Sequence, residues 1–236
     1  AARLNGSQAL PLRALGIMKS VGLNVASDVL EVSNLAGANP GGGAVVIVGD
    51  DPHCSSTQTP ADSRYKSRAL FMPVVSPGGW QEMKDWIELA FQLSAASECY
   101  VTYLVTTSQA DGGGVVRLKP DRWPEINRNS RADLDTAGLD LGRRVMIPPS
   151  SSRGEVHLLG TRLPAVTASA RQLGFDRIIN PPPGGARAPL GLVTHGVSYL
   201  YVLDALNALG LAGRIPVLKL GLVWPLDSVA QWQAGR

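Results

Sequence analysis

Three polar side chains follow the apolar run 45–48 within five residues of its end. Asp50, Asp51 and His53 come directly after the glycine-flanked segment AVVIVG. A short apolar run bounded by glycine and polar residues is typical of a buried strand that ends in a functional loop. In parallel α/β sheets, ligands bind at the carboxyl ends of the strands. The carboxylates and the imidazole are therefore candidate ligand-binding groups.

The spacing of these residues does not favour a metal site or a serine nucleophile. A metal centre would need a second cluster of ligands near Asp50, Asp51 and His53, and the sequence has none at ligand spacing. We therefore predict no metal. Ser198 follows Gly196 but lacks the second glycine of the Gly-x-Ser-x-Gly elbow. Its position favours the N-cap of a helix instead.

Structural roles remain open for the same residues. Asp50 and Asp51 would be equally suited to capping the turn and accepting backbone N–H groups, with Arg64 paired to one of them. His195 is either a residue that faces a ligand at the end of a strand or a loop histidine whose ring nitrogens are hydrogen-bonded within the protein.

A second candidate stretch, LGIMKSVGLNVASD, carries Lys19, Gly22 and Asn24 in an otherwise apolar setting. Gly22 would allow the backbone to approach a ligand closely. Lys19 is either a charge contact for a ligand or a solvated lysine at the end of a helix.

The elements that must position these residues alternate between strand and helix. The run 45–48 is followed by a short strand near 71–75, a helix from Trp80 and a largely buried strand over 99–107. Strand, helix and strand in this order imply a parallel sheet. A second unit follows in LGLVTHG, VSYLYVLDALNALG and IPVLKLGLVWPLD, with Gly210 as the C-cap of its helix.

Two details of these helices are also predicted. Ser76 and Pro77 provide a cap and a first-turn proline for the helix from Trp80. In the second unit, helical spacing places one apolar side on Tyr199, Val202, Leu203, Leu206 and Leu209.

Composition narrows the class of protein. The 236 residues are 44% hydrophobic and 17% charged, which indicates a globular fold. The net charge of +3 comes from scattered arginines, so nucleic acid is not an expected partner. Cys54 and Cys99 could pair in principle, but two thiols cannot hold an iron–sulfur cluster. With no membrane span and no secretory signal in the sequence, we expect a cytoplasmic protein.

Four segments together resemble one enzyme family. MKSVGLNVASD and GGGAVVIVGDDPHCSSTQTPADSR look like the thiamine-dependent 2-oxoacid:ferredoxin oxidoreductases, specifically the large subunit of indolepyruvate ferredoxin oxidoreductase. In that family an M-K-x-V-G-L-N-V-A segment leads to a D-D-P loop with H-S-S-Q and a later D-S-R. GLVTHGVSYLYVLDALNALG and VLKLGLVWPLD resemble the family's transketolase-C-terminal-like domain. The segments cover about half of the chain.

The resemblance implies an α/β fold in which a thiamine-enzyme pyrimidine-domain-like parallel sheet is joined to a transketolase-C-terminal-like α/β unit. The expected divisions are a partial pyrimidine-binding-like domain over 1–107, a linker and wrapping segment over 108–184, and the transketolase-C-terminal-like domain over 185–236. The weak periodicity of 108–150 agrees with a linker.

The resemblance also implies a set of residues that bind the cofactor or line the substrate pocket. The set is Lys19, Val21, Gly22, Leu23, Asn24, Asp50, Asp51, His53, Ser55, Ser56, Arg64, Gly196 and Ser198. No residue is assigned a catalytic role. Cys54 and Thr57 interrupt the family's H-S-S-Q run, so the role of His53 stays open.

The implied reaction is the oxidative decarboxylation of an aryl 2-oxoacid to an acyl-CoA, with electrons passed to ferredoxin. Thiamine diphosphate with magnesium and iron–sulfur clusters would serve the complete enzyme. The glutamate that activates the cofactor, the diphosphate motif and the cluster cysteines of the family are missing here. We therefore expect the chain alone to bind none of these cofactors and to be inactive without partner domains or subunits in an oligomer. The competing interpretations are a non-catalytic thiamine-fold scaffold and an independent α/β domain that binds a small anion.

Overall fold

The computed structural model describes residues 1–120, 141–185 and 188–226. The helices are α1 (Ala2–Ser7), α2 (Ser20–Ala36), α3 (Ser63–Ala69), α4 (Trp80–Ser97), α5 (Thr107–Asp111), α6 (Leu141–Arg144), α7 (Ser150–His157), α8 (Leu163–Leu173) and α9 (Ser198–Ala208). The strands are β1 (Arg13–Lys19), β2 (Gly43–Asp50), β3 (Val74–Val75), β4 (Val101–Thr106), β5 (Arg177–Ile179), β6 (Leu192–His195), β7 (Val217–Leu220) and β8 (Leu222–Trp224). Segment 121–140 of the predicted linker and 227–236 of the last predicted domain lie outside the described residues.

The larger sheet has five strands in the order β1-β2-β4-β3-β8. The β1–β2, β2–β4 and β3–β4 pairs are parallel, and β8 is antiparallel to β3. The register places Ile47 beside Ile17 on one side and Tyr103 on the other. The predicted parallel α/β sheet is therefore confirmed.

Helices cover both faces of this sheet, which explains why β2 is apolar on both sides. Val45 faces the layer of α4 and α8, where Trp86 and Phe175 meet edge to face at 5.2 Å. Val46 faces the layer of α2, where Leu23 and Leu30 are fully buried. The two layers form two separate clusters of buried apolar side chains.

The smaller sheet has three strands in the order β5-β7-β6. β6 and β7 are parallel and are joined by α9, as the sequence predicts, and β5 adds an antiparallel edge. Gly210 follows α9 with φ +66°, the left-handed conformation expected of a glycine after a helix.

One predicted strand is in fact two strands in different sheets. The segment IPVLKLGLVWPLD provides β7 to the smaller sheet and β8 to the larger one, with Gly221 between them. A Cβ at Gly221 would lie 2.3 Å from the carbonyl oxygen of Phe175. Close backbone packing at this glycine therefore accompanies the change of sheet.

Two predicted caps are wrong. The N-cap of α4 is Gly79, and Ser76 and Pro77 precede the helix. Instead of Ser76, the Glu82 carboxylate accepts the N–H of Gly78 at 2.8 Å, because a side chain in the first turn can reach back to an unpaired donor.

Ser198 is likewise not a cap. It is the first residue of α9, and its neighbour Val197 occupies the N-cap position without a side-chain hydrogen bond. On the apolar side predicted for the same helix, Leu206 is buried but Leu209 is 70% exposed, because the helix ends at Ala208 and Leu209 lies beyond its last residue.

The predicted linker contains regular structure. α7, a π-helical turn over Leu158–Arg162 and α8 follow one another without a break, and α8 packs against α4. The buried guanidinium of Arg162 donates to the carbonyl oxygens of Asn34 and Leu35, both at 2.7 Å, and so caps the end of α2. The domain boundaries themselves stay predictions.

Two further observations concern the predicted class of protein. Cys54 and Cys99 are free thiols, so the pairing left open by the sequence does not form. Within the described residues, no helix has the length and apolarity needed to cross a membrane.

Candidate functional site

A cavity of about 560 Å³ lies at the carboxyl ends of β2, β4 and β6, where the two sheets meet. This is the edge at which open parallel sheets bind ligands. Its lining consists of Asp50, Asp51, Pro52, His53, Ser55, Asp62, Arg64, Ser76, Leu104, Thr106, Thr107, Ser108, Asp111, His195, Gly196, Val197, Ser198 and Tyr201.

Asp51 organises the loop that forms one wall of this cavity. Its carboxylate accepts the backbone N–H groups of Ser55, Ser56 and Thr57 and the Thr57 hydroxyl. These hydrogen bonds, that of Ser56 first, hold the pKa of Asp51 far below its usual range. Both oxygens are used within the loop, so Asp51 shapes the site and has little capacity left for a ligand.

Asp50 ends β2 and is also buried. Its carboxylate accepts the backbone N–H of Ser63 at 3.1 Å and the Ser63 hydroxyl at 2.8 Å. Burial raises the pKa of Asp50, and the hydrogen bonds from Ser63 oppose that rise only in part. A carboxyl of raised pKa that faces a cavity is suited to carrying a proton.

Arg64 joins the two halves of the site. Its Nε and Nη2 donate to the two oxygens of Asp62 at 2.7 and 2.5 Å, and its Nη1 lies 2.7 Å from Nε2 of His195. Asp62 caps α3, and its pKa is lowered mainly by the hydrogen bond from Arg64. Three of the five N–H groups of Arg64 are used, which leaves two for a ligand.

The contact with Arg64 fixes the tautomer of His195. A guanidinium only donates, so Nε2 of His195 must accept and its proton must be on Nδ1. Burial, and then the charge of Arg64, lowers the pKa of His195. Nδ1 is buried and makes no hydrogen bond within the described part of the chain. His195 is therefore a neutral donor near the cavity.

A buried network supports the opposite wall. Gln109 donates to the carbonyl oxygens of Pro77 and Gly78 at 2.8 and 3.1 Å. Glu82, which holds the N–H of Gly78, also pairs with the buried ammonium of Lys219 in β7. Burial lowers the pKa of Lys219 despite this pair. The smaller sheet is thus tied to the loop that borders the site.

The structure brings together seven of the thirteen residues predicted for the site. Those that line the cavity are Asp50, Asp51, His53, Ser55, Arg64, Gly196 and Ser198. Ser56 lies in the same loop but does not line the cavity. Its carbonyl oxygen accepts a hydrogen bond from the exposed Lys19 ammonium at 3.3 Å. Lys19 occupies the junction of β1 and α2, which agrees with the solvated-lysine alternative.

The remaining predicted residues lie on α2, away from this cavity. Val21 and Asn24 are exposed, and Leu23 is fully buried against the sheet. A Cβ at Gly22 would lie 2.9 Å from Cβ of Met18, so the close approach at this glycine is to a core side chain. These residues do not line the cavity.

Several lining residues were not predicted from the sequence. Asp62 pairs with Arg64 in place of Asp50 or Asp51, and the segment ADSR at the start of α3 carried the signal of a cap. Thr106 ends β4 beside Asp50 at the end of β2, and Thr107 follows it as the first residue of α5, so adjacency of the two strands would have revealed them. Tyr201 gives no local signal, because its spacing is that of an ordinary apolar helix.

The described residues offer no evident metal centre. Across residues 1–120, 141–185 and 188–226, no group of three or more His, Cys, Asp or Glu side chains could hold a metal ion.

The chain is similar in sequence to known oxidoreductase subunits. The indolepyruvate oxidoreductase subunit IorA of Methanothermobacter thermautotrophicus is 31% identical over 217 residues, which cover 92% of this chain and 33% of that subunit. The subunit IorA of Pyrococcus abyssi is 33% identical over 215 residues, with 91% and 32% coverage. The chain spans about a third of the length of these curated relatives. No family model matches it.

A solved structure shares the fold. The 2-oxoglutarate:ferredoxin oxidoreductase from Magnetococcus marinus, with 2-oxoglutarate, coenzyme A and succinyl-CoA bound, has a TM-score of 0.65 and 14% identity. The match covers 99% of this chain and 46% of that one. These findings confirm the family resemblance and the α/β fold.

Proposed function

Since this chain is related in sequence to about a third of the indolepyruvate oxidoreductase subunit IorA, we propose that it is part of a 2-oxoacid oxidoreductase. The proposed reaction is the oxidative decarboxylation of an aryl 2-oxoacid with coenzyme A, and ferredoxin receives the electrons. The observation that carries the proposal is the agreement in sequence over more than nine-tenths of the chain in six relatives.

The cavity at the sheet edge suits the acid end of such a substrate. Arg64 is the one lysine or arginine in the described lining, and it keeps two N–H groups after pairing with Asp62 and His195. A guanidinium binds a carboxylate through two parallel hydrogen bonds, which fixes its orientation. Asp62 would hold the guanidinium in place while those two groups bind the substrate carboxylate.

Asp50 and His195 would present two further polar groups to this site. The buried carboxyl of Asp50 holds a proton more readily than an exposed one, and neutral His195 has its proton on Nδ1. The Nδ1–H of neutral His195 can therefore donate a hydrogen bond to a ligand, whereas the carboxylate of Asp51 is committed to its own loop.

The cofactors would bind mainly through other parts of the enzyme. The two cysteines of the chain cannot hold an iron–sulfur cluster. We propose that partner domains or subunits carry thiamine diphosphate and the clusters. The role proposed for this chain is to bind and orient the 2-oxoacid and to help exclude water from it.

The first test is the composition of the native assembly. We expect the complex purified from its source to be larger than the 24.9 kDa chain and to contain thiamine diphosphate and iron–sulfur clusters, as measured by native mass spectrometry and cofactor analysis. We also expect it to reduce a viologen dye when indole-3-pyruvate and coenzyme A are both present. A cofactor-free species with the mass of the chain would exclude the oxidoreductase proposal.

The second test concerns Arg64. Arg64→Lys keeps the charge but removes the planar fork, so we expect KM for the 2-oxoacid to rise about tenfold or more. The control is Arg68→Lys, an exposed arginine on the same helix that does not line the cavity. Equal KM values in the two variants would remove Arg64 from the substrate site.

An alternative function is that of a non-catalytic assembly subunit. It is favoured by the apolar side chains that the larger sheet leaves uncovered at one edge. Leu15 and Ile17 on β1 are exposed, Ile17 to 72%. Exposed apolar groups that lie close together mark contact surfaces. A stable complex that lacks turnover with every arylpyruvate tested would support this alternative.

A further inference from the structure

A smaller cavity of about 220 Å³ adjoins the candidate site. The two cavities share Ser108, Val197 and Tyr201 as lining residues. The smaller one is completed by Gly78, Gly79, Trp80, Gln109, Leu200 and Asp204. Most of its wall is therefore apolar or aromatic, whereas the larger cavity is lined mainly by carboxylates, hydroxyls, Arg64 and His195.

One face of α9 forms the wall of this smaller cavity that borders solvent. Val197, Leu200, Tyr201 and Asp204 follow the spacing i, i+3, i+4 and i+7, which places them on one side of the helix. Tyr201 is 67% exposed and Leu200 is 37% exposed, while Leu206 is buried on the other side. The exposed side chains of Leu200 and Tyr201 therefore do not pack in the core of the described fold.

The opposite wall is a fixed indole ring. Nε1 of Trp80 lies 3.4 Å from the carbonyl oxygen of Gln109. On one side the ring packs against the glycine segment 112–114, where a Cβ at Gly114 would lie 2.2 Å from a ring carbon. Glycine is needed for this close contact. Trp80 is thus held by a hydrogen bond and by backbone packing, and it lines the cavity as a rigid aromatic surface.

We propose that this smaller cavity binds the aromatic ring of the aryl 2-oxoacid and that Asp204 selects indole over phenyl. The assignment rests on the proposed function, since it places the ring beside the cavity where Arg64 would hold the carboxylate. Trp80 and Tyr201 offer aromatic faces for stacking, and Leu200 adds apolar contact. The N–H of an indole can only donate, and Asp204 lines the same cavity with an acceptor that a phenyl ring would not use.

A binding experiment tests this assignment on the chain itself. Indole-3-acetate and phenylacetate carry the ring and the carboxylate without the reactive ketone, and NMR titration measures their dissociation constants. We expect Tyr201→Ala to weaken both ligands about tenfold, because the ring contact is lost. Asp204→Ala should weaken indole-3-acetate about fivefold to tenfold and leave phenylacetate unchanged.

The control variant is Leu209→Ala, an exposed apolar residue after the same helix that lines neither cavity. It should bind both ligands as the unmodified chain does. If the unmodified chain binds neither ligand more tightly than it binds acetate, or if Asp204→Ala weakens both equally, the subsite assignment is wrong.

Turnover by the assembled enzyme separates this inference from the proposed function. With indole-3-pyruvate and 2-oxobutyrate as substrates, Leu200→Ala, which changes a residue that lines only the smaller cavity, should lower kcat/KM about tenfold for the first and leave the second unchanged. Equal effects on both substrates would refute the subsite but leave the oxidoreductase function intact. Absence of turnover with any 2-oxoacid would refute the function, and the binding experiment would still decide whether the cavity holds an aryl ring.

Discussion

The buried ion pair between Lys219 and Glu82 predicts an asymmetric response to mutation. The side chain of Lys219 is 1% exposed, and its ammonium lies 4.3 Å from the centre of the Trp86 ring. Glu82 is 19% exposed and has two further partners, the N–H of Gly78 and the half-exposed Arg177. Loss of the carboxylate therefore leaves a buried cation without its anion, whereas loss of the ammonium leaves an anion that keeps two donors.

The expected magnitudes follow from this difference. Removing one partner of a buried pair costs about 3–5 kcal/mol in unfolding free energy when the remaining charge is uncompensated, and we expect the lower end of this range for Glu82→Gln because Asp176 still acts on the charge of Lys219. For Lys219→Met we expect about 1–2 kcal/mol, because the flexible thioether can pack beside Trp86 and no buried charge remains. The double variant should resemble Lys219→Met. As a control, Arg177→Gln should cost less than about 1 kcal/mol, since that pair is exposed.

Denaturant unfolding followed by circular dichroism measures these values, and pH provides a second readout. Burial lowers the pKa of Lys219 below that of the unfolded chain, so the unfolded state binds more protons at alkaline pH. Stability of Glu82→Gln should therefore recover as the pH rises toward about 10.4, the value for an unperturbed lysine. If Lys219→Met proves as destabilising as Glu82→Gln, or if alkaline pH brings no recovery, the cation is not buried as described.

Three further predictions concern the site loop, the histidine and the sheet junction. Asp51→Ala should speed hydrogen exchange of the backbone amides at 55–57 at least tenfold, as measured by mass spectrometry, and unchanged exchange would contradict the role of Asp51 in the loop. Because the pKa of Asp51 is depressed, the same loop in the unmodified chain should loosen only as the pH falls well below about 4. The pKa of His195 is lowered in the folded state, so as the pH falls below about 6.5 the histidine binds a proton in the unfolded state first. The free energy of unfolding should therefore drop by at most about 1.4 kcal/mol per pH unit. This pH dependence should be absent in His195→Gln, and its persistence there would assign it to another group. Gly221→Ala should lower the free energy of unfolding by about 3 kcal/mol, measured by thermal or denaturant unfolding, because its Cβ would meet a backbone carbonyl. The control is Gly160→Ala, which has open space around it in a helical stretch and should be neutral or stabilising. Equal effects of the two substitutions would contradict the close packing at Gly221.

Local pattern predicted most of the elements that build the site. The apolar run that became β2, the helical spacing of α4 and the β6–α9–β7 unit each carry their own periodicity, which depends only on neighbouring residues. Asp50, Asp51 and His53 were already candidates from the local pattern, and the resemblance to a known family added the other four predicted residues that line the cavity. The predicted site also contained four residues on α2 that lie elsewhere, two of them, Val21 and Leu23, from the resemblance alone.

The sequence by itself determined the parallel α/β class, the polar loop after β2 and the candidate charges Asp50, Asp51 and Arg64. Only the tertiary structure decided which groups meet. Arg64 pairs with Asp62 and His195, the second of which is 131 positions away, and no local pattern reports so distant a contact. The division of one apolar run into β7 and β8 was likewise hidden, because both halves are equally apolar and their separation depends on backbone packing at Gly221. Side-chain periodicity is a local property, whereas the pairing of charges and the choice of sheet depend on the spatial arrangement of distant elements.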